Sequence, residues 1–200
     1  TTFQDAIAKG AHNAECFYGA ARCKEQLNDT TAYIALLDSA VATFSQPYLK
    51  EAAPYIYARG QALAENGQYR LAVNDFNEYE NLMISQINSE FYYIRSQVEV
   101  KGRLFQQALN DLDKAIDKDP SVLLYRSEKA SLQIRVKLID EAIETASECI
   151  RLFPDSSDGY LFLGLAQCLK GDKVQGVGNL LKAKDLGDAQ ADVLIEKYGK

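Results

Sequence analysis

Residues 105–115 read FQQALNDLDKA, and residues 139–149 read IDEAIETASEC. In each, apolar residues return every third or fourth position, the spacing of one face of an α-helix. Phe105, Ala108, Leu112 and Ala115 form that face in the first stretch, and Ile139, Ala142, Ala146 and Cys149 form it in the second. Ala108 and Ala142 are 34 residues apart, and another 34 lead to Gly176 in VQGVGNLLKA, which also carries Val174, Leu180 and Ala183. Working backwards, Ala72 precedes Ala108 by 36 residues in YRLAVNDFNEY, flanked by Tyr69, Phe76 and Tyr79. A small residue thus recurs where two helices must cross closely, with a larger apolar residue usually four positions later on the same face.

Turn signals separate these helical patterns along the chain: Asn28-Asp29, Asn66-Gly67, Asp119-Pro120, Phe153-Pro154-Asp155, Lys170-Gly171-Asp172 and Leu186-Gly187-Asp188. No segment alternates with period two for long enough to suggest a central strand. The result is a series of short helices taken in pairs. It resembles the tetratricopeptide repeat family, whose 34-residue helix–turn–helix unit carries an aromatic at position 4, Leu-Gly at 7 and 8, Tyr at 11, Ala at 20, an aromatic at 24, Ala at 27 and Pro at 32.

Five units fit that pattern, spanning about 14–47, 53–86, 89–122, 123–156 and 157–190. The last matches best, with Tyr160, Leu163, Gly164, Gly171 and Ala183 in place. The second has Gly60, Gly67, Tyr69, Ala72 and Phe76; the third has Tyr92, Phe105, Ala108, Ala115 and Pro120; the fourth has Ala130, Ala142 and Pro154. The first has Phe17, Ala21, Leu37 and Ala40, but Tyr33 stands where position 20 expects a small residue. Ala21, Ser96 and Ala130 replace the position-8 glycine, and the extra residues around Gln46 to Ala52 are expected to lengthen a helix or form a loop. Phe3 and Ala6 make residues 1–13 read as half of a preceding unit, either a natural cap or the remnant of upstream repeats. Ala191, Leu194, Ile195 and Tyr198 make 191–200 read as a capping helix at a true terminus. The resemblance implies one all-α domain, a right-handed superhelical solenoid of antiparallel helix pairs, over residues 1–200.

Composition narrows the function. The chain of 200 residues has 47% hydrophobic residues, enough for a sizeable core, and a formal net charge of -6. That balance argues against a broad nucleic-acid-binding surface. No apolar run reaches the length of about 18 residues that a membrane-spanning helix needs. No CxxC pair occurs among the four cysteines; Cys16 and Cys23 are too far apart along one helix to bond, while Cys149 and Cys168 fall in neighbouring helices. They read as small buried side chains. Location stays open: the cysteines suit a reducing cytosol, and a chain beginning at Thr1 equally suits an exported bacterial protein that has lost a leader.

No catalytic constellation is present. The lone histidine, His12, lacks a zinc-site or HExxH partner; its one suggestive neighbour is Cys16, four residues on. There is no phosphate loop and no GxSxG elbow. Gly176 and Gly178 read as close packing inside a helix, and the pairs Asp111/Asp113 and Asp117/Asp119 as solvated surface, because residues two apart on a helix point away from each other. The reading is a non-enzyme with no cofactor and no metal.

In the family that the repeats resemble, ligands commonly lie in a concave groove lined by first helices at positions 2, 5, 9, 12 and 13. The resemblance carries these positions to Glu15, Tyr18, Arg22, Glu25 and Gln26 in the first unit and to Tyr57, Gln61 and Glu65 in the second. Glu90, Tyr93, Gln97 and Lys101 follow in the third, Ser127, Ser131 and Arg135 in the fourth, and Asp158, Leu161, Leu165 and Leu169 in the last. Tyr18, Tyr57 and Tyr93 share one repeat position, and a ladder of tyrosines offers rigid apolar area with hydroxyls for an extended peptide. The competing reading packs those rings between helices. A family subtype grips a C-terminal carboxylate with Lys, Asn and Arg at set positions; that set is absent here, where Ala58, Glu90 and Ile94 occupy the corresponding places. The expected function is therefore a protein-interaction scaffold for a protein or peptide segment, with a structural or assembly role, including self-association, as the alternative.

Overall fold

The computed structural model describes residues 13–45 and 48–199. The expected half-unit, with Phe3, Ala6 and His12, lies outside the described residues, as do Gln46, Pro47 and Lys200. Among the described residues the fold is all-α, in agreement with the sequence pattern. The helices are α1 Ala14–Gln26, α2 Thr30–Val41, α3 Ala53–Glu65, α4 Tyr69–Met83, α5 Ser89–Lys101, α6 Phe105–Lys118, α7 Leu123–Arg135, α8 Ile139–Leu152, α9 Ser157–Lys170, α10 Lys173–Asp185 and α11 Ala189–Tyr198. The insertion around Gln46 to Ala52 becomes a 3-10 turn, Tyr48–Ala52, leading directly into α3.

The helix starts follow local chemistry. Asn13, Asp29, Ser156, Asp172 and Asp188 each stand one residue before a helix and accept a backbone N–H of its first turn. At Asp29 the amide of Ala32, assisted by Lys24, holds the carboxyl below the usual carboxylate range. Gly171, with φ 105°, closes α9 in the left-handed conformation that glycine adopts without a Cβ clash.

The chain forms two compact units. Unit 1 contains α1–α4 and the end of α5, and in it α1 packs on α2, α2 on α3 and α3 on α4. Its core rests on small-residue contacts. A Cβ on Gly60 would stand 3.0 Å from the Phe76 ring, so the glycine makes room for that fully buried aromatic. Tyr33, the exception at its repeat position, packs with Ala21, Leu37 and Ala62 and is itself buried. Unit 2 contains the start of α5 and α6–α11. There α9 and α10 cross backbone to backbone: a Cβ on Gly164 would lie 2.7 Å from the Gly176 carbonyl oxygen. Leu194, Ile195 and Tyr198 of α11 pack over Leu161, Cys168, Leu180 and Ala183.

Three expectations are corrected. Gly178, unlike Gly176, is not at a close crossing, since nothing lies within 4 Å of where its Cβ would stand. Cys16 and Cys23 are only partly buried, because they lie toward the outer side of α1, while Cys149 and Cys168 are buried as expected. Asp111 is not solvated surface but is 3% exposed, held by a bidentate pair with the equally buried Arg95. Periodicity assigns a charged residue to the outside by default. Here the helix turn folds α6 back on α5, and the sixteen-residue separation brings carboxylate and guanidinium together. The same pair occurs in unit 1 between Arg59 and Asp75, where Arg59 also reaches Asp38 at 2.9 Å.

Candidate functional site

The expected groove residues do not stand alike. In unit 1, Tyr18 of α1 is half-buried and meets Tyr55 edge-on at 5.3 Å, while Tyr55 stacks on Phe44. Tyr57 of α3 lies against Phe76 at 5.6 Å and Tyr79 at 4.9 Å. Arg22 pairs with Glu25 on its own helix, and Gln61 and Glu65 are exposed. In unit 2, Tyr93 rests on Tyr125 at 5.3 Å, and burial together with the nearby Glu128 charge pushes its hydroxyl pKa up. Each of the three tyrosines thus has an aromatic neighbour on its flank. Gln97 is half-buried and Lys101 exposed. Arg135 places its guanidinium 4.7 Å from the Phe105 ring centroid, a cation–π contact.

Unit 2 does bring predicted groove positions together. A cavity of about 190 Å3 is bounded by Ser127 and Ser131 of α7 and by Asp158 and Leu161 of α9. The buried Ser127 hydroxyl donates to Asp158 Oδ2 at 2.7 Å, tying the two first helices across the cavity wall. Leu124, Glu128, Phe162, Asp188 and Gln190 complete it. Sequence reasoning missed these five. Leu124 stands at position 2 of its unit and was recoverable from the register; Glu128 and Phe162 sit one place beyond the positions carried over. Asp188 and Gln190 arrive from the start of α11, which no groove register includes.

The cavity pairs an apolar floor, Leu161 and Phe162, with hydroxyls and carboxylates around it. It contains no cysteine or histidine. The two buried thiols lie elsewhere: burial pushes Cys149 up to about 11 and raises Cys168 as well, which keeps both protonated and weakly nucleophilic near neutral pH. All four cysteines are free thiols. Among the described residues no helix is long and apolar enough to cross a membrane.

Comparison of the whole structure with solved ones gives consistent matches. YrrB, described as a TPR protein with an unusual peptide-binding site, superposes with a TM-score of 0.72 at 20% identity, over 98% of both chains. The chain folds as a tetratricopeptide-repeat solenoid. MamA matches this solenoid with a TM-score of 0.69 at 19% identity, over 90% of this chain and 94% of MamA. The C-terminal part of a TPR repeat-containing protein from Cytophaga hutchinsonii gives 0.71 at 15% identity, over 92% of this chain and 71% of that one. At these identities the likeness establishes the solenoid fold, the fold class that the 34-residue pattern implied. No protein-family model matches the sequence. No curated protein matches it either.

Proposed function

We propose that this solenoid is a non-enzymatic protein-interaction scaffold that takes an extended segment of a partner against its first helices. The observation that carries the reading is the cavity of about 190 Å3 in unit 2, where Ser127, Ser131, Asp158 and Leu161, all at groove positions of the repeat, share one wall. Apolar floor and polar rim in one concavity suit a peptide side chain flanked by backbone hydrogen bonds. The peptide-binding site named for YrrB supports the same reading by analogy of fold. Tyr18, Tyr57 and Tyr93 contribute apolar ring faces in this proposal, each buttressed by the aromatic neighbour that fixes its orientation.

The test is affinity capture from the source cells with the parent chain as bait. One control carries Tyr18, Tyr57 and Tyr93 changed to alanine, and a second carries Ser131→Trp to fill the cavity. Circular dichroism first establishes that all three are equally folded. A protein retained by the parent and lost from both controls supports the groove; the same proteins retained by all three would refute it.

A specific observation favours assembly as a second reading. Val174 of α10 and Val193 of α11 are 87% and 66% exposed, and Leu181 is 47% exposed, so apolar side chains face water on the last two helices. A mass that rises with concentration in sedimentation equilibrium, and falls back in Val174→Lys, would support self-association.

A further inference from the structure

A second concavity lies at the turn edge of unit 1, and one of its lining residues, Lys101 at the end of a first helix, is an expected groove position. It has a volume of about 410 Å3 and forms in unit 1 where two helix–turn–helix connections come together: Gly67 to Leu71, at the start of α4, and Lys101 to Arg103, at the end of α5. Gly102 allows the approach, since a Cβ there would stand 3.0 Å from Tyr69 Cβ. Three cations line it, Arg70, Lys101 and Arg103, and no carboxylate does. The charged lining is thus wholly cationic, in a chain with 28 acidic and 22 basic residues. Lys24, Arg59, Lys129, Lys170 and Lys184 each hold a carboxylate within 3.3 Å. Among the described residues Arg70, Lys101 and Arg103 hold none. Arg103 even keeps its place at φ 60°, a left-handed backbone that an L-residue adopts at a cost. Beside these cations Leu71 of α4 is 51% exposed.

We infer that this turn-edge cavity is a docking site for an acidic segment of a partner protein, one that presents carboxylates to Arg70, Lys101 and Arg103 and an apolar side chain to Leu71. Charge complementarity selects the occupant: three uncompensated cations around one concavity attract carboxylates and set orientation and encounter rate. The first turn of α4 adds to the attraction, because Gln68 before it makes no side-chain cap and leaves the amides without that partner. The exposed leucine favours a peptide over a free anion, which has nothing to cover it. A nucleic acid is disfavoured by the net charge of -6, whose field repels a polyanion. The site is separate from the first-helix cavity and stands or falls independently of the function proposed for that one.

The experiment uses a fluorescein-labelled peptide of alternating glutamate and leucine, titrated with the whole chain by fluorescence anisotropy. A glutamine–leucine peptide and a phosphoserine–alanine peptide serve as comparisons. The expected result is binding of the glutamate peptide that weakens as salt rises. Arg70→Gln and Lys101→Gln each reduce it by about two- to fivefold, as for exposed ion pairs, and together with Arg103→Gly by more than about tenfold. Ser131→Trp leaves it unchanged. Equal binding of the glutamine peptide, binding of the phosphoserine peptide alone, or undiminished affinity in the triple variant would each overturn the assignment. Arg103→Gly guards against a folding artefact, since it relieves the backbone while removing the charge.

Discussion

Arg95 and Asp111 stand sixteen residues apart and meet side by side, Nε donating to Oδ2 at 2.5 Å and Nη2 to Oδ1 at 2.9 Å, with both side chains almost completely buried. Arg59 and Asp75 repeat this geometry, and Arg59→Arg95 and Asp75→Asp111 are both steps of 36 residues. The pair is therefore a property of the helix–turn–helix unit in two successive repeats: it staples the first helix to the second beneath the apolar contacts. In the next repeat the equivalent positions are Lys129 and Thr145, and Lys129 reaches Asp113 instead.

Breaking the more buried pair should be the more damaging. Asp111→Asn removes a carboxylate that the buried Arg95 guanidinium holds through two hydrogen bonds, and breaking a buried pair in this way costs about 3–5 kcal/mol. Asp75→Asn should cost less, because the Arg59 side chain is 18% exposed and keeps Asp38. Urea melts of the two variants rank them directly; equal losses would mean that Asp38 contributes nothing. A double change, Arg95→Met with Asp111→Leu, should recover most of the loss, since an apolar pair of similar size carries no desolvation penalty.

The helix crossings should tolerate neither loss nor gain of volume. Phe76 lies fully buried against Gly60 and Tyr57, so Phe76→Ala removes transfer energy and leaves a cavity, costing about 3–5 kcal/mol. Ala72 is equally buried, and Ala72→Leu should cost about 1–3 kcal/mol by overpacking. Gly164→Ala should cost a similar amount, about 1–3 kcal/mol. Its new methyl would press on the α10 backbone, at 2.7 Å from the Gly176 oxygen and 2.9 Å from the Leu180 nitrogen. Denaturant midpoints unchanged from the parent would show that these residues are not at the crossings.

The fold was legible because its signal is apolar and local. Ala72, Ala108, Ala142 and Gly176 mark the crossings at steps of 36, 34 and 34 residues, and Gly171 and Asp172 mark a turn by their own backbone preferences. The buried Arg–Asp pairs were not read, since charged residues carry no periodic cue and meet only once the turn has folded one helix onto the next. The cavity between α7 and α9 was partly legible. Register supplied Ser127, Ser131, Asp158 and Leu161, but Asp188 and Gln190 reach it from α11, a contribution that packing alone decides. Of the turn-edge cations the register supplied only Lys101; Arg70 and Arg103 were invisible for a similar reason, because they become neighbours only when turns from two repeats come together.

Stability should fall on the alkaline side. Burial is the leading cause that raises the hydroxyl pKa values of Tyr33, Tyr55 and Tyr93 above the ordinary value. The folded chain therefore holds these protons to higher pH than the unfolded chain, whose tyrosines ionise near pH 10 (about the model-peptide value). The stabilisation is fully present below that pH and is lost as pH rises through the folded values. Urea midpoints measured from neutral to strongly alkaline buffer should hold and then decline; a decline already complete well below that point would assign the effect to other groups.

Thiol reactivity should divide the four cysteines in two. Cys16 and Cys23 on α1 are partly exposed, whereas Cys149 and Cys168 are buried with raised pKa values. Iodoacetamide in native buffer should label the first two, and the second two only on unfolding. Peptide mass spectrometry over a time course reads this out, and early labelling of Cys149 would mean that α8 opens far more readily than its packing implies.

Three turn residues should be improvable. Asn28, Arg103 and Lys137 hold φ angles of 55°, 60° and 66°, whereas Gly67, Gly171 and Gly187 serve other turns at positive φ. Asparagine tolerates this region better than arginine or lysine, because its short polar side chain can bond locally. Replacement by glycine should therefore stabilise Arg103 and Lys137 by about 1 kcal/mol and Asn28 by less. Thermal melts test the ranking. If Arg103→Gly raises the melting temperature while weakening the acidic peptide, the arginine is retained in a strained conformation for its charge. If it raises stability and leaves peptide binding intact, the guanidinium is no part of the turn-edge site.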